Sequence, residues 1–362
     1  MIPVLRRFAT LLMASVLISP WVAQATSPDM ETLSKGIWID RQHLQSLPNE
    51  GLAWDRLLVD AARSTDTPNL SNQDDMTNVW VFAKALAHVR TGEPRYRDEV
   101  ISACMAAMGT EEGGSSLALG RELIAYVLAA DLVGLPPEED AAFREWLAAV
   151  MDKKMSEGKT LRTTHAQRPN NWGTHAGASR LAAAAYLGNA DEIAQVAAIF
   201  KGWLGDRMSY AGFRYGALDW QADPNNPVGI NPLGSVRDGH SIDGVLPEEQ
   251  RRSGDFTWPP PQENYVYEWL QGALAQAVIL QRAGYPAFDW EDQALRRAFQ
   301  WLHEQANYPA EGDDTWQPHL INVNYRTAFP VILPSRPGKN VGYTDWTHAP
   351  LPVPRDLRVD AP

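Results

Sequence analysis

Two side-chain amides, an indole and an imidazole stand together in the run Arg168-Pro169-Asn170-Asn171-Trp172-Gly173-Thr174-His175. Residues 176–187, which follow, are small and apolar enough to form a buried helix, so this polar start is not ordinary surface. Amide and imidazole groups can hydrogen-bond a carboxylate and withdraw its charge. The indole offers an apolar face on which a sugar ring can stack. The simpler alternative is that Asn170 or Asn171 caps the helix and Trp172 fills the core.

A second group of polar residues lies in a segment rich in glycine and proline. It contains Arg237-Asp238-Gly239-His240 and then Asp243-Gly244-Val245-Leu246-Pro247-Glu248-Glu249-Gln250-Arg251-Arg252-Ser253-Gly254. Soon afterwards, Glu263-Asn264-Tyr265-Val266-Tyr267 opens a long segment with helical periodicity. Cations therefore stand near a helix start that holds two phenols. The alternatives are that the two arginines are solvated surface, that the tyrosines pack the helix start, and that His240 is idle in its loop.

Apolar residues recur at helical spacing along most of the chain, and little of it has the pattern of a strand. Helices are predicted over residues 51–63, 78–90, 96–108, 116–132, 137–155, 172–187, 191–204, 265–283 and 289–306. Short links between helices of similar length indicate helical hairpins, and no fixed repeat period is present. The sequence therefore predicts an all-α fold, an α/α toroid or incomplete barrel of helical hairpins with long loops that form a cleft.

Two long segments, residues 206–262 and 308–362, lack helical periodicity and are rich in Gly, Pro, Asn and aromatic residues. Long irregular segments in a compact domain are usually functional or disordered, and aromatic residues argue against disorder. Both are predicted to wall a binding cleft. They hold four of the 14 tryptophans, which either contact carbohydrate or anchor the loops to the core: Trp220, Trp258, Trp316 and Trp346.

The first 25 residues have the pattern of a cleaved signal peptide. Arg6 and Arg7 precede a mostly apolar stretch, and Ala23-Gln24-Ala25 is typical of a cleavage site. Residues 26–362 are then predicted to form one catalytic domain that is periplasmic or secreted, with no membrane association after cleavage.

Charge and motif content narrow the class of function. The chain has 32 Lys and Arg against 44 Asp and Glu, a formal net charge of −12, which argues against nucleic acid as a partner. Cys104 is the only cysteine and lies in an apolar run, so a buried structural thiol is predicted. The eight histidines are dispersed, and neither a phosphate-binding loop nor a Gly-x-Ser-x-Gly motif is present. No metal or other cofactor is expected, and the sequence does not indicate an oligomeric state.

Taken in order, these motifs resemble the alginate lyase family of helical-toroid polysaccharide lyases. The shared order is an Asn-Asn-aromatic helix start, then Asp-Gly-x-Leu-Pro-Glu, then Arg-x-Gly, then a helix headed by tyrosine. The opening Gly36-Ile37-Trp38-Ile39-Asp40 and the closing residues 338–348 also look like alginate-lyase-like proteins. The resemblance covers roughly residues 36–348. It implies that the substrate is an acidic polysaccharide such as alginate, polymannuronate or glucuronan. It also implies that the polymer is cleaved by β-elimination, without water.

The resemblance also implies roles for individual residues. Asn171 matches the asparagine that neutralises the substrate carboxylate, and Arg252 matches the arginine two residues before a glycine. Tyr265 is the first choice for the tyrosine that acts as base and then as acid, and Tyr267 is the reserve. Neutralising the carboxylate stabilises the enolate-like intermediate, and a nearby arginine favours the phenolate form of the tyrosine.

Two departures from the family pattern predict a divergent member. Trp172 stands where better-known members have histidine, so His175, one turn later, or His240 would help to neutralise the carboxylate. The arginine-to-tyrosine spacing is also longer, with Thr257-Trp258-Pro259-Pro260-Pro261 between them. Further substrate contacts are predicted for Asn170, Trp172, Arg121, Arg214, Glu263, Trp258, Lys339 and Asn340.

Two other functions remain open from the sequence. A glycoside hydrolase on a similar helical scaffold would use paired carboxylates, for which the loops offer Asp219, Asp238, Asp243 and Glu263. A non-catalytic glycan-binding protein of the periplasm would use the tryptophans without needing an arginine–tyrosine pair. Only a lyase releases a product with a conjugated double bond, which absorbs in the ultraviolet.

Overall fold

The computed structural model describes residues 27–349. Helices account for 55% of these residues and strands for 1%, so the fold is all-α, as predicted. The predicted signal peptide, residues 1–25, and residues 350–362 lie outside the described part. Between residues 27 and 349, no helix combines the length and the apolar composition needed to cross a membrane.

The nine predicted helices are all present, and most end within two residues of the predicted bounds. The helices are α1 (Met30–Ser34), α2 (Arg41–Ser46), α3 (Leu52–Ala61), α4 (Thr77–Thr91), α5 (Pro94–Ala107), α6 (Ser116–Val133), α7 (Pro137–Val150), α8 (Leu161–Gln167), α9 (Asn171–Leu187), α10 (Ala190–Leu204), α11 (Pro247–Gln250), α12 (Tyr265–Arg282), α13 (Trp290–Glu304), α14 (Gln317–Tyr325) and α15 (Thr344–Thr347). Strands β1 (Val236–Arg237) and β2 (His240–Ser241) form an antiparallel hairpin, and η1 (Arg251–Ser253) and η2 (Gly312–Asp314) are 3-10 helices. Helix α7 ends at Val150, five residues before the predicted end.

The helices form two layers. Helices α4, α6, α9 and α12 are buried on most of their surface, and each contacts the next in this order. Helices α3, α5, α7, α10 and α13 are amphipathic, with one face buried and the other exposed. An inner layer of buried helices inside an outer layer of amphipathic helices is compatible with the predicted α/α toroid.

Two glycines show that three of the inner helices, α6, α9 and α12, begin at the same end of the fold. A Cβ added to Gly120, in the second turn of α6, would lie 2.8 Å from the backbone nitrogen of Ala176 in α9. A Cβ added to Gly272 of α12 would lie 2.4 Å from the carbonyl carbon of Thr174, also in α9. The early turns of the three helices are therefore packed side by side, and only glycine permits so close a backbone approach. Their first residues, with free backbone N–H groups, meet at one end.

Most of the tryptophans in the irregular segments anchor those segments to the core. Trp220 and Trp316 are fully buried, and Trp346 is only 4% exposed. The core-anchoring alternative therefore applies to these three, whereas Trp258 is only partly buried. Cys104 is buried and unpaired, as predicted for a structural thiol.

Glu122 of α6 is a carboxyl group in the interior of the inner layer. It is 1% exposed, and neither of its oxygens has a hydrogen-bond partner among residues 27–349. Burial raises the pKa of Glu122 well above its usual value, and the nearby carboxylate of Asp75 adds to this, while Arg121 opposes it. The folded protein therefore holds a proton on Glu122 in a pH range where the unfolded chain has released it.

This protonation predicts how a Glu122→Gln variant will behave. In wild type, the contribution of protonated Glu122 to the free energy of unfolding is complete below about pH 4.3, the pKa of a glutamate in the unfolded chain. This contribution falls as the pH rises, by up to about 1.4 kcal/mol per pH unit. Glutamine has no proton to lose, so the variant should match wild type at pH 4.5 and become progressively more stable than wild type towards pH 7.5. Thermal unfolding of both proteins across this range measures the gap. A gap that does not change with pH would contradict a neutral Glu122.

Candidate active site

Three of the predicted site residues meet where the inner helices begin. Asn171 is the first residue of α9, Tyr265 is the first residue of α12, and Arg252 lies in η1. The Arg252 guanidinium carbon is 3.9 Å from the centre of the Tyr265 ring. Its Nη2 donates to the Asn171 side-chain oxygen at 3.4 Å. An amide, a cation and a phenol from separate parts of the chain thus form one group, the Asn171–Arg252–Tyr265 cluster.

The cluster combines one buried donor with two accessible groups. Asn171 is 1% exposed, whereas Tyr265 is 40% exposed. The Arg252 side chain is 28% exposed. Because the Asn171 oxygen faces Arg252, the amide nitrogen Nδ2 is left as a buried donor with no partner in the described structure. A buried donor without a partner costs about 1–3 kcal/mol, so a ligand that accepts from it gains affinity.

The first turn of α9 is capped by a carboxylate from another helix. Neither asparagine caps it, since Asn170 precedes the helix without a side-chain capping bond. Instead the Asn171 backbone N–H donates to Glu249 Oε1. The other oxygen of Glu249 pairs with Arg252 Nε at 2.5 Å. Glu249 is fully buried, and burial raises its pKa to about 7 against the opposing effects of Arg252 and of the Asn171 N–H.

Glu249 was not among the residues predicted from the sequence to form the site. It lies in the four-residue helix α11, three positions before Arg252. An acid and an arginine three residues apart on a helical turn face the same side, which is the signal that the sequence offered.

Glu263 and Trp172 complete the surroundings of the cluster. The Tyr265 backbone N–H donates to Glu263 Oε1 at 3.1 Å, and the Ser253 hydroxyl donates to Glu263 Oε2. Glu263 therefore ties η1 to the start of α12. The Arg168 guanidinium lies 4.1 Å from the centre of the Trp172 ring, so the indole is covered on one face by a cation.

A second polar group lies one helical turn deeper along α9 and α12. Arg121 forms a buried ion pair with Glu268, and Lys339 Nζ lies 3.6 Å from Glu268 Oε1. His175 is fully buried, with its Nε2 4.0 Å from Glu268 Oε2. Burial lowers the pKa of His175 well below its usual value, and the positive charges of Arg121 and Lys339 lower it further. The imidazole is therefore neutral at physiological pH.

The remaining predicted residues have other contacts. His240 stacks on Trp258 with ring centres 4.4 Å apart. The Tyr267 hydroxyl donates to the Tyr308 carbonyl at 2.6 Å, and burial raises the pKa of Tyr267 well above its usual value. Asn340 is fully buried, with its Nδ2 donating to the Gln271 carbonyl. Arg214 is exposed on the segment after α10. The structure thus brings Asn171, Arg252 and Tyr265 together, whereas the side chains of Tyr267 and Asn340 hydrogen-bond to backbone carbonyls.

Two of the four carboxylates considered for a hydrolase, Asp243 and Glu263, take part in other contacts. Asp243 pairs with Arg297 at 2.5 Å and accepts from the Gly234 N–H at 2.9 Å. Glu263 is held by Ser253 and by the backbone of Tyr265. In the described part of the chain, no group of three or more His, Cys, Asp or Glu side chains is placed to hold a metal ion.

An all-α scaffold with an amide, a guanidinium and a phenol at adjoining helix starts is compatible with a helical polysaccharide lyase. The alginate lyase family model matches residues 59–214, and this match supports an alginate lyase family member. The segment includes Asn171 but ends before Arg252 and Tyr265. A comparison with curated proteins found no match, and neither did a comparison with solved structures. The match supports polysaccharide lyase activity on alginate-like polymers.

Proposed function

We propose that the protein cleaves a uronic acid polymer by β-elimination at the Asn171–Arg252–Tyr265 cluster. The observation that supports this most is the unpartnered Nδ2 of Asn171, which lies beside the guanidinium of Arg252 and near the exposed Tyr265. A uronate carboxylate would accept from the buried amide while the phenol stays accessible. Charge-assisted hydrogen bonds of this kind are among the stronger ones in proteins.

The proposed reaction needs one base, one acid and a stabilised anion. The ionised Tyr265 oxygen takes the proton from C5 of the sugar, and the electrons of that bond enter the adjacent carboxylate as an enolate-like intermediate. Asn171 and Arg252 hold the developing charge. The C4–O4 bond then breaks, a C4–C5 double bond forms, and the tyrosine returns its proton to O4. In mannuronate and glucuronate both events take place on one face of the ring, so one tyrosine serves for both.

The neutral state of His175 limits its role. A neutral imidazole can still donate one hydrogen bond towards a carboxylate, but it supplies no positive charge. The cationic contribution in this proposal therefore comes from Arg252. Trp172, His240, Trp258 and Arg214 are proposed to contact sugar units further along the substrate. We also propose that residues 26–362 act as one periplasmic or secreted domain once residues 1–25 are removed.

The test is a substrate screen with two readouts. Purified protein is incubated with polymannuronate, glucuronan and polyguluronate, and both ultraviolet absorbance and new reducing ends are followed. We expect absorbance and reducing ends to rise together on mannuronate or glucuronate polymers. Reducing ends without absorbance would instead show a hydrolase, and binding without either signal would show a glycan-binding protein. Activity on polyguluronate alone would require a base separate from the tyrosine.

A further inference from the structure

We propose that Glu249 is a positioning residue that fixes the geometry of Asn171 and Arg252 for the elimination step. The proposal rests on the proposed lyase function and adds to it a residue that touches neither substrate nor product. Glu249 acts through its two neighbours.

The geometry assigns a different partner to each carboxylate oxygen. Oε1 accepts from the backbone N–H of Asn171, and Oε2 pairs with Arg252 Nε at 2.5 Å. These partners lie on two elements that are far apart in sequence, α9 and η1. The side chain is 0% exposed, so water does not compete for either contact. A carboxylate at the start of a helix is also favoured by the positive end of the helix dipole.

The two contacts together determine where the Asn171 amide points. Arg252, held at Nε by Glu249, donates from Nη2 to the Asn171 side-chain oxygen at 3.4 Å. That contact leaves Nδ2 as the donor available to a substrate carboxylate. Without the carboxylate, Arg252 could rotate away from Asn171, and the start of α9 would lose its cap. Shifts of about 1 Å in such groups cost roughly a hundredfold in rate.

The neighbouring residue Glu248 provides a matched control. It is also buried, at 4% exposed, and it also pairs with an arginine three positions later, Arg251. Its other oxygen accepts from the Gly216 N–H at 2.9 Å. Glu248 therefore supports the segment around Gly216, whereas Glu249 supports the cluster.

The surroundings of Glu249 predict a pH dependence. The charged groups that act on it are Arg252, Glu248 and Arg251, and α9 contributes the Asn171 N–H. Burial raises the pKa of Glu249 to about 7, so its charge is lost as the pH falls through neutrality. The neutral acid no longer pairs with Arg252, and activity should decline on the acid side.

The experiment measures kcat and KM from pH 5.5 to 9 for wild type, Glu249→Gln, Glu249→Asp and Glu248→Gln on the best substrate of the screen. We expect Glu249→Gln to lower kcat about 10- to 100-fold at pH 8 with a smaller change in KM. Its pH profile should also lack the acid limb, the decline of activity as the pH falls through about 7. Glu249→Asp should keep the limb and recover part of the rate. Glu248→Gln should keep both the rate and the limb.

The outcomes distinguish a failure of the proposed lyase function from a failure of the proposed role of Glu249. A wild type that yields no unsaturated product on any uronan would overturn the proposed function and this role with it. An active wild type whose Glu249→Gln variant keeps the same kcat, or the same acid limb, would overturn the role of Glu249 alone. Circular dichroism and thermal unfolding confirm that the variants are folded. If Glu249→Gln does not fold, loss of the limb in Glu249→Asp would overturn the role.

Discussion

Replacing Tyr265 by phenylalanine is expected to lower kcat by about 10²- to 10⁴-fold, the range for loss of a group that transfers a proton. The change removes one oxygen and keeps the ring against which Arg252 packs. Substrate binding should therefore change little, and KM should stay within a few-fold of wild type. Initial rates of ultraviolet absorbance on the preferred uronan give both constants.

Comparison with Tyr267→Phe shows which of the two tyrosines transfers the proton. The Tyr267 hydroxyl is committed to the Tyr308 carbonyl in the core. Its loss should cost about 1 kcal/mol of stability and leave turnover in place. If Tyr267→Phe abolishes turnover in a folded protein while Tyr265→Phe does not, the assignment is reversed. If both variants keep full activity, the tyrosine mechanism is wrong.

Asn171→Asp should have an effect of similar size through a different cause. The substitution keeps the shape but turns the buried Nδ2 donor into an acceptor and adds a negative charge where the substrate carboxylate would lie. The charge can pair with Arg252, so the protein should still fold. Two carboxylates facing each other repel strongly in a buried site, and kcat/KM should fall by at least about 10³-fold.

A second asparagine at a helix start serves as the control. Asn189 precedes α10, where its side chain accepts from the Glu192 N–H. Aspartate preserves that cap, so Asn189→Asp should keep wild-type kinetics. Kinetics on one substrate, with thermal unfolding to confirm the fold, compare the two variants. Asn171→Asp with unchanged kcat/KM would remove Asn171 from the proposed site.

The main helices could be predicted from sequence because their apolar spacing is regular and glycine or proline separates them. Helix α14 was missed because it lies within a segment of irregular composition, and α8 because it has only seven residues. The apolar pattern of α7 continues past Val150, but the helix ends there and the chain enters a turn. In this turn the Ser156 N–H donates to the Gly114 carbonyl, a contact between distant segments that periodicity does not reveal.

For the proposed site, the sequence indicates the residue types but not which of them pair. Asn171, Arg252 and Tyr265 were predicted from the resemblance to the alginate lyase family, and the structure places them together. Two tyrosines at i and i+2 point to different sides of a helix, so one had to face the core, but the sequence does not show which. Glu249 was missed because an acid in a short helix is usually solvated. Its burial depends on the packing of α11 against α12 and on the contact of Glu249 with the start of α9, which no local pattern encodes.

Several cations at the helix-start end already have an acidic neighbour. The pairs are Arg252 with Glu249, Arg251 with Glu248, and both Arg121 and Lys339 with Glu268. Seen from beyond the Debye length of about 8–10 Å, opposite charges this close cancel. The whole chain carries −12, so long-range steering does not draw a polyanion inward. Capture of an acidic glycan then depends on contact at short range, and a higher ionic strength should speed the encounter because it screens the repulsion between two negatively charged partners.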